Sequence, residues 1–260
     1  MGVVAFKLIA VASIFLTGLA GGMFALRLRH FERSEAFFSL GSALAAGIFI
    51  GAGLIHMLPD AIDDFNSVAP HLGYPLASLL CAVGLVMILF IEGVLVPVDE
   101  GRVASSETAD HLPTYPYVLT LILSIHSILA GIALGAEPSF IGSLAILVAI
   151  IGHKGSAGFA LAVSLHRAGV SRTVIFKRIV FFSLMTPLGI GVGAVFVSLL
   201  TSTASLGFEA VFDSLAAGSF IYISTVDIIK EEFFEPSQRG LKFVLLCLGL
   251  GLMAMLALWL

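Results

Sequence analysis

Long apolar segments alternate with short polar connections along the whole chain. Each segment is long enough to cross the ~30 Å hydrocarbon core of a bilayer as an α-helix. The pattern predicts an all-α polytopic membrane protein, with residues 1–260 forming one transmembrane domain. A flexible loop is predicted at residues 97–116, which are rich in polar residues and proline. Eight spans are predicted, at Val3–Leu26, Phe37–Leu58, Tyr74–Val96, Tyr117–Gly135, Ile141–Leu165, Ile175–Leu200, Gly207–Ile229 and Leu241–Leu260.

The composition supports this class of protein. The chain has 260 residues, of which 59% are hydrophobic and 12% charged, and its mean hydropathy is +1.10. Ordinary soluble domains are about one quarter charged. The net charge of −4 gives no indication of a nucleic-acid partner. Cys81 and Cys247 both lie in apolar segments, so they indicate neither a disulfide framework nor a zinc-binding CxxC site.

The basic residues predict the orientation of the chain. Of the thirteen Lys and Arg residues, all but Lys7 and Lys154 follow an odd-numbered span. The positive-inside rule therefore places these connections, including the loop 97–116, in the cytoplasm and both termini outside. The residues concerned are Arg27, Arg29, Arg33, Arg102, Arg167, Arg172, Lys177, Arg178, Lys230, Arg239 and Lys242.

Acidic residues collect at the opposite, outward ends of the spans. Three aspartates, Asp60, Asp63 and Asp64, follow span 2, with Glu137 after span 4 and Glu209 near the start of span 7. An acidic surface raises the local concentration of cations, although solvated helix ends explain Glu137 and Glu209 equally well. His56 and Asp60 are four residues apart and share a helix face. They could contact a metal ion together, with Pro59 between them able to bend that geometry.

Two histidines lie in the middle of apolar spans. His126 is some ten residues into span 4, about 15 Å deep, and His153 lies at a similar depth in span 5. An ionisable side chain at mid-membrane is expensive and usually faces a polar pathway or a partner. Hydrogen bonding between packed helices is the alternative role. Their matching depth on consecutive helices favours a functional site, and neutral imidazole is a ligand for Zn²⁺, Fe²⁺ and Cu²⁺.

Several segments together resemble the ZIP (Zrt/Irt-like) family of divalent metal transporters. They are GAGLIHMLPDA in span 2, HSILAGIALG in span 4, HKGSAGFALA in span 5, TPLGIGVG in span 6 and AAGSFIYIS in span 7. The resemblance implies uptake of Zn²⁺, Fe²⁺ or a similar ion into the cytoplasm through a site between spans 4 and 5. It also implies a 3+2+3 helical bundle, with outer triplets related by an inverted repeat and one helix group moving against the other.

The sequence departs from the family pattern at four positions. Ala130 and Ala157 stand where the span 4 and span 5 motifs of the family carry acids. Lys154 stands where members with a two-metal site carry an acid, and Thr186 where such members carry Glu. A second, carboxylate-rich metal position is therefore not expected.

The remaining candidate ligands form a sparse site. His126 and His153 are the expected metal ligands, and Ser127 could add an oxygen. Lys154 would repel a dication if its ammonium group entered the site. Glu92 and Asp227, near the inner ends of spans 3 and 7, are candidate exit ligands, although an interfacial charge is the favoured alternative for Asp227.

The sequence therefore predicts a transporter of divalent cations, with Zn²⁺ as the expected substrate. A ZIP-like protein that has lost transport and serves as a metal sensor or assembly partner is the alternative. An enzyme is not expected, because no HExxH or HxxxH motif is present. The bilayer and the metal ion are the expected partners, without a resident cofactor and with a homodimer left open. The plasma membrane is the expected location, and an organelle membrane is the alternative.

Overall fold

The computed structural model describes residues 3–28, 34–95, 115–197, 202–234 and 237–258. Within these ranges the chain forms ten α-helices and three π-helical turns, without a β-strand. The π-helical turns are Ala52–Met57, Ile91–Leu95 and Ile223–Ile229. The helices are α1 (Val3–Leu28), α2 (Ser34–Gly51), α3 (Leu58–Val68), α4 (Leu76–Phe90), α5 (Tyr115–Ala136), α6 (Phe140–Arg167), α7 (Arg172–Val197), α8 (Ser202–Tyr222), α9 (Lys230–Phe234) and α10 (Arg239–Leu256).

Eight continuous helical rods are long and apolar enough to cross a membrane, counting the π-helical turns as parts of the rods. The prediction of an all-α polytopic protein with eight spans is confirmed. The arrangement as a 3+2+3 bundle with an inverted repeat and the outward location of the termini stay predictions. Most of the predicted flexible loop lies outside the described residues. Its last two residues, Tyr115 and Pro116, instead begin α5, where the missing N–H of proline costs no helical hydrogen bond.

Two helical rods extend well beyond the predicted spans. The second continues past Leu58 through α3 to Val68, and the seventh continues past Ile229 through α9 to Phe234. Both extensions are rich in acidic side chains, so the apolar sequence ends while the helix continues. The last helix ends at Leu256 and is followed by a turn at Ala257 and Leu258, before the predicted end of span 8.

Each π-helical turn carries one of the polar residues that the sequence places on the transport pathway. His56 lies in Ala52–Met57, Glu92 in Ile91–Leu95, and Asp227 in Ile223–Ile229. A π-turn widens the helix locally, re-aims its side chains and is frequently found at functional sites. The three turns therefore coincide with three of the polar residues expected on the pathway.

The helices pack as two groups that meet around α5, α6 and α8. One group contains α1, α5, α6 and α7, and the other contains α2, α3, α4, α8 and α10. Close approach within the first group depends on Gly131 of α5 and Gly189 of α7. A Cβ at Gly131 would collide with the Thr186 carbonyl oxygen, and one at Gly189 with the Ile128 carbonyl oxygen. Small residues allow this backbone contact in lipid.

Candidate metal pathway

The two mid-span histidines face each other at the contact between α5 and α6. Both side chains are buried, and their ring centroids lie 5.7 Å apart with an interplanar angle of 70°. His126 Nε2 and His153 Nδ1 are buried nitrogens that have no hydrogen-bond partner in the part of the chain that the structure describes. A buried polar atom without a partner carries a desolvation cost of about 1–3 kcal/mol. The pair therefore has two nitrogens available for a ligand.

Helix α8 supplies the other contacts of the histidine pair. Ser219 Oγ lies 3.1 Å from His126 Nδ1. The fully buried ring of Phe220 packs against both imidazoles, with centroid distances of 3.6 Å to His126 and 4.8 Å to His153. Phe220 itself stacks on Phe49 of α2 at 4.9 Å. The second helix group thus restrains the rings that the first group carries.

Lys154 points into a neighbouring set of oxygen atoms. Its Nζ donates hydrogen bonds to Ser127 Oγ and Thr186 Oγ1, both at 2.9 Å, and to the Phe182 carbonyl oxygen at 3.3 Å. It also lies 3.7 Å from the centroid of the Phe182 ring. No acidic side chain among the described residues forms an ion pair with it. Ser127 and Thr186 are therefore occupied by the lysine.

A cavity of about 190 Å³ leads from the end of the bundle that carries the acidic connections, here called the acidic end, to His153, one member of the histidine pair. His56 accompanies the acids in its wall, and His56 Nδ1 lies 2.8 Å from Asp60 Oδ2 in spite of the intervening Pro59. The side chains that line the cavity include His56, Asp60, Asp64, Ala130, Glu137, His153, Glu209 and Asp213.

The cavity separates residues that the sequence analysis grouped together. Asp60 and Asp64 line it, whereas Asp63 is exposed and is not part of the lining. Asp213 also lines the cavity and was not predicted from the sequence. It could have been predicted, because an acid within an apolar span is unusual. Glu209 and Asp213 are also four residues apart on α8 and so share a face.

The two alanines at the altered family positions have different surroundings. Ala130 is buried and lines the cavity beside His153. Ala157 is buried within the main apolar core and does not line the cavity. A longer side chain at position 130 would therefore have space toward the cavity, whereas one at position 157 would meet packed core.

Two carboxyl groups meet at the other end of the bundle, here called the basic end because Arg167, Lys230 and Arg239 lie there. Glu92 and Asp227 are close enough to interact electrostatically, and Glu92 also interacts with Tyr222. Glu92 Oε2 and Asp227 Oδ2 are buried and lack hydrogen-bond partners among the described atoms. The contact between these two acids was not foreseen from the sequence.

A network of ion pairs lies at the basic end. Arg167 of α6 lies 2.6 Å from the buried carboxylate of Glu232, and it also contacts Glu35 and Glu231 at 3.4 Å. Lys242 Nζ donates a hydrogen bond to the Glu232 carbonyl oxygen at 2.6 Å. The network joins α6 of the first helix group to α2, α9 and α10.

The cavity and the histidine pair offer few metal ligands. Among the side chains that the structure describes, no three His, Cys, Asp or Glu converge as a metal-binding group. The histidine pair offers two neutral nitrogen donors, with acids at a distance on either side. Such a site could hold a divalent transition metal with few ligands and could also release it.

An apolar bundle of eight helical rods, with paired histidines at its centre and carboxylates toward each end, defines a multi-pass integral membrane protein. The sequence profile described as "ZIP Zinc transporter" matches residues 4–108 and 99–257. The chain therefore belongs to the ZIP zinc transporter family.

Curated relatives align over most of the chain. Zinc transporter ZIP1 of Danio rerio is 28% identical, covering 96% of this chain and 96% of the relative. Zinc transporter ZIP2 of Homo sapiens is 27% identical, covering 83% and 84%. Zinc transporter 3 of Arabidopsis thaliana is 27% identical, covering 98% and 84%. The resemblance first seen in the motifs thus extends along the whole sequence.

Proposed function

We propose that this protein carries Zn²⁺ across the plasma membrane into the cytoplasm and binds it transiently between α5 and α6. His126 and His153 are the ligands in this proposal. Membership of the ZIP family and the names of its zinc-transporting relatives support zinc as the substrate. Fe²⁺ and other divalent transition metals are alternative substrates, because neutral imidazole also binds them.

The pair of unpartnered imidazole nitrogens is the observation that carries the proposal. A zinc–nitrogen bond is about 2.0–2.1 Å long, and the nitrogen lies roughly 1 Å from the ring centre, so a shared ion sits about 3 Å from each centroid. The observed centroid separation of 5.7 Å accommodates one such ion between the rings. Binding would satisfy both nitrogens at once.

The acids on either side complete a route for the ion. Asp60 and Asp64 give the cavity a negative potential that concentrates cations next to His153. Glu92 and Asp227 offer unpartnered oxygens toward the basic end, where they could receive the ion on its way to the cytoplasm. Both groups are pathway residues in the proposal rather than central ligands.

Without a carboxylate beside the histidines, a bound metal ion is held less tightly and is released more readily. Ala130 and Ala157 replace the acids that the family pattern places there, so the bound ion is held by neutral groups. A conducted ion must leave as readily as it binds. Lys154 occupies the hydroxyl groups of Ser127 and Thr186, so these oxygens reach a metal ion only if the lysine releases them. One ion at a time is expected.

Uptake of radioactive zinc into proteoliposomes tests this function. His126→Ala and His153→Ala should each lower zinc uptake at least about tenfold, a loss of about 1.4 kcal/mol. His166→Ala, on the same helix as His153, is the control and should leave uptake unchanged. Uptake that persists in both histidine variants would contradict the site. Zinc binding without uptake by the unmodified protein would favour the alternative role of a sensor or assembly partner.

A further inference from the structure

The hydroxyl group of Ser219 has its hydrogen committed to the backbone. Ser219 Oγ lies 2.7 Å from the Ala216 carbonyl oxygen and donates its hydrogen bond there. A carbonyl oxygen can only accept, and a serine hydroxyl has a single hydrogen. Ser219 Oγ can therefore act only as an acceptor toward any further partner.

That further partner is the imidazole of His126. Nδ1 lies 3.1 Å from Ser219 Oγ. Because the serine cannot donate to it, Nδ1 must carry the hydrogen and donate. In a neutral imidazole one nitrogen is a donor and the other an acceptor. The proton on Nδ1 therefore leaves Nε2 with a free lone pair, and Nε2 is the buried nitrogen without a described partner.

Phe220 restricts rotation of the His126 imidazole. Its ring lies over the His126 imidazole at a centroid distance of 3.6 Å and an interplanar angle of 32°. Both residues are buried, so rotation of the imidazole would require the aromatic contact to break. Ser219 and Phe220, adjacent on α8, thus restrain the protonation pattern and the orientation of one ring.

We propose that Ser219 is a positioning residue that selects the Nδ1–H tautomer of His126 and so makes Nε2 the metal-binding atom. This inference rests on the proposed function, because it concerns a ligand of that site. A hydrogen bond to the ring nitrogen that does not bind the metal fixes the tautomer of a metal-binding histidine, and its loss typically costs 10–100-fold in metal affinity. Helix α8 thereby sets the donor atom of a ligand that belongs to α5.

Removing the hydroxyl group should weaken zinc binding without removing a ligand. In Ser219→Ala the Nδ1 hydrogen loses the hydroxyl acceptor, and the proton can move to Nε2, where it blocks the lone pair. The zinc Kd of the purified protein, measured by competition with a chelating dye, should rise about tenfold or more. Ser219→Thr keeps the hydroxyl group and should restore affinity to near that of the unmodified protein.

Ser214→Ala is the matched control. Ser214 is also fully buried on α8, and its hydroxyl donates a similar bond to the Ala210 carbonyl oxygen at 2.7 Å. It does not line the cavity that reaches His153. Its variant should keep the zinc Kd unchanged, so a general weakening of α8 is separated from loss of the contact to His126.

Nitrogen-15 NMR of the zinc-free, unmodified protein tests the tautomer without any change at Ser219. The signals of His126, assigned by their disappearance in His126→Ala, should show a protonated Nδ1 and an unprotonated Nε2. An Nε2–H form would overturn the proposal, as would an unchanged zinc Kd in folded Ser219→Ala. If His126→Ala weakens zinc binding while Ser219→Ala does not, this inference alone fails. If His126→Ala itself has no effect, the proposed binding site fails as well.

Discussion

Lys154 Nζ donates a hydrogen bond to Ser127 Oγ at 2.9 Å, so the hydroxyl group next to His126 in sequence is held by a lysine. The lysine is 2% exposed and reaches a second hydroxyl on α7, that of Thr186. It thereby joins α5, α6 and α7 through one side chain. The role that the structure gives to Lys154 is a buried cross-link within the first helix group.

Replacement of this lysine should destabilise the protein. Lys154→Met keeps most of the side-chain volume but leaves the Ser127 and Thr186 oxygens without their donor. The expected loss is about 1–3 kcal/mol in the free energy of unfolding, the usual cost of orphaned buried polar groups. Denaturant unfolding of the detergent-solubilised protein measures it. Lys177→Met, at an exposed position of α7, should have no effect, and equal stabilities of the two variants would contradict the cross-link.

A carboxylate at position 130 should tighten zinc binding. Ala130 lines the cavity beside His153, so the side chain of Ala130→Glu has space there. A negative charge in a setting of low dielectric constant attracts a dication more strongly than in water. The expected gain in affinity is at least about tenfold, or 1.4 kcal/mol, and it should increase further in the Lys154→Ala background.

Ala130→Gln is the control for this prediction, because it has the same size without the charge and should give little gain. Calorimetry on the purified proteins compares the three sequences at position 130. If Ala130→Glu binds zinc no better than Ala130→Gln, with Lys154 present or absent, position 130 and the histidines do not share a binding space.

The cavity acids should affect capture of the ion rather than its binding at the centre. The double variant Asp60→Asn/Asp64→Asn removes two charges from the cavity wall. The apparent KM for zinc uptake should rise at low ionic strength, and the difference should shrink as salt screens the field. Asp63→Asn removes a nearby charge that does not face the cavity, so its effect should be smaller. A larger effect of Asp63→Asn would show that capture depends on the outer surface instead.

Backbone contact between α5 and α7 should make two glycines of one helix respond differently to the same substitution. In Gly189→Ala the new methyl group meets the Ile128 carbonyl oxygen, whereas in Gly191→Ala it meets open space. Alanine is the better helix former by about 1 kcal/mol, so Gly191→Ala should be neutral or stabilising. Gly189→Ala should lower the unfolding temperature in the same detergent. Equal behaviour of the two variants would mean that the helices are not closely packed.

The sequence predicted the features that depend on single spans. Eight spans followed from hydropathy alone, and His126 and His153 stood out because ionisable groups are rare at mid-membrane. Their matching depth on consecutive helices favoured a functional site between them. These properties need only the position of a residue along its own helix.

The features that were missed depend on how one helix is rotated against another. Ser219 and Phe220 contact His126 only because of the register between α5 and α8, which no local pattern encodes. The partners of Lys154 come from α5 and α7 and could not be named for the same reason. His56 stays in contact with Asp60 although the sequence allowed for a bend at Pro59.

We propose that His126 and His153 bind one zinc ion together. An experimental structure of the zinc-loaded protein with an element-specific signal tests this most directly. A zinc peak is expected between the two rings, about 2.0–2.1 Å from His126 Nε2 and from His153 Nδ1. A zinc ion bound elsewhere, such as at Glu92 and Asp227, with the two imidazoles still unliganded, would contradict it.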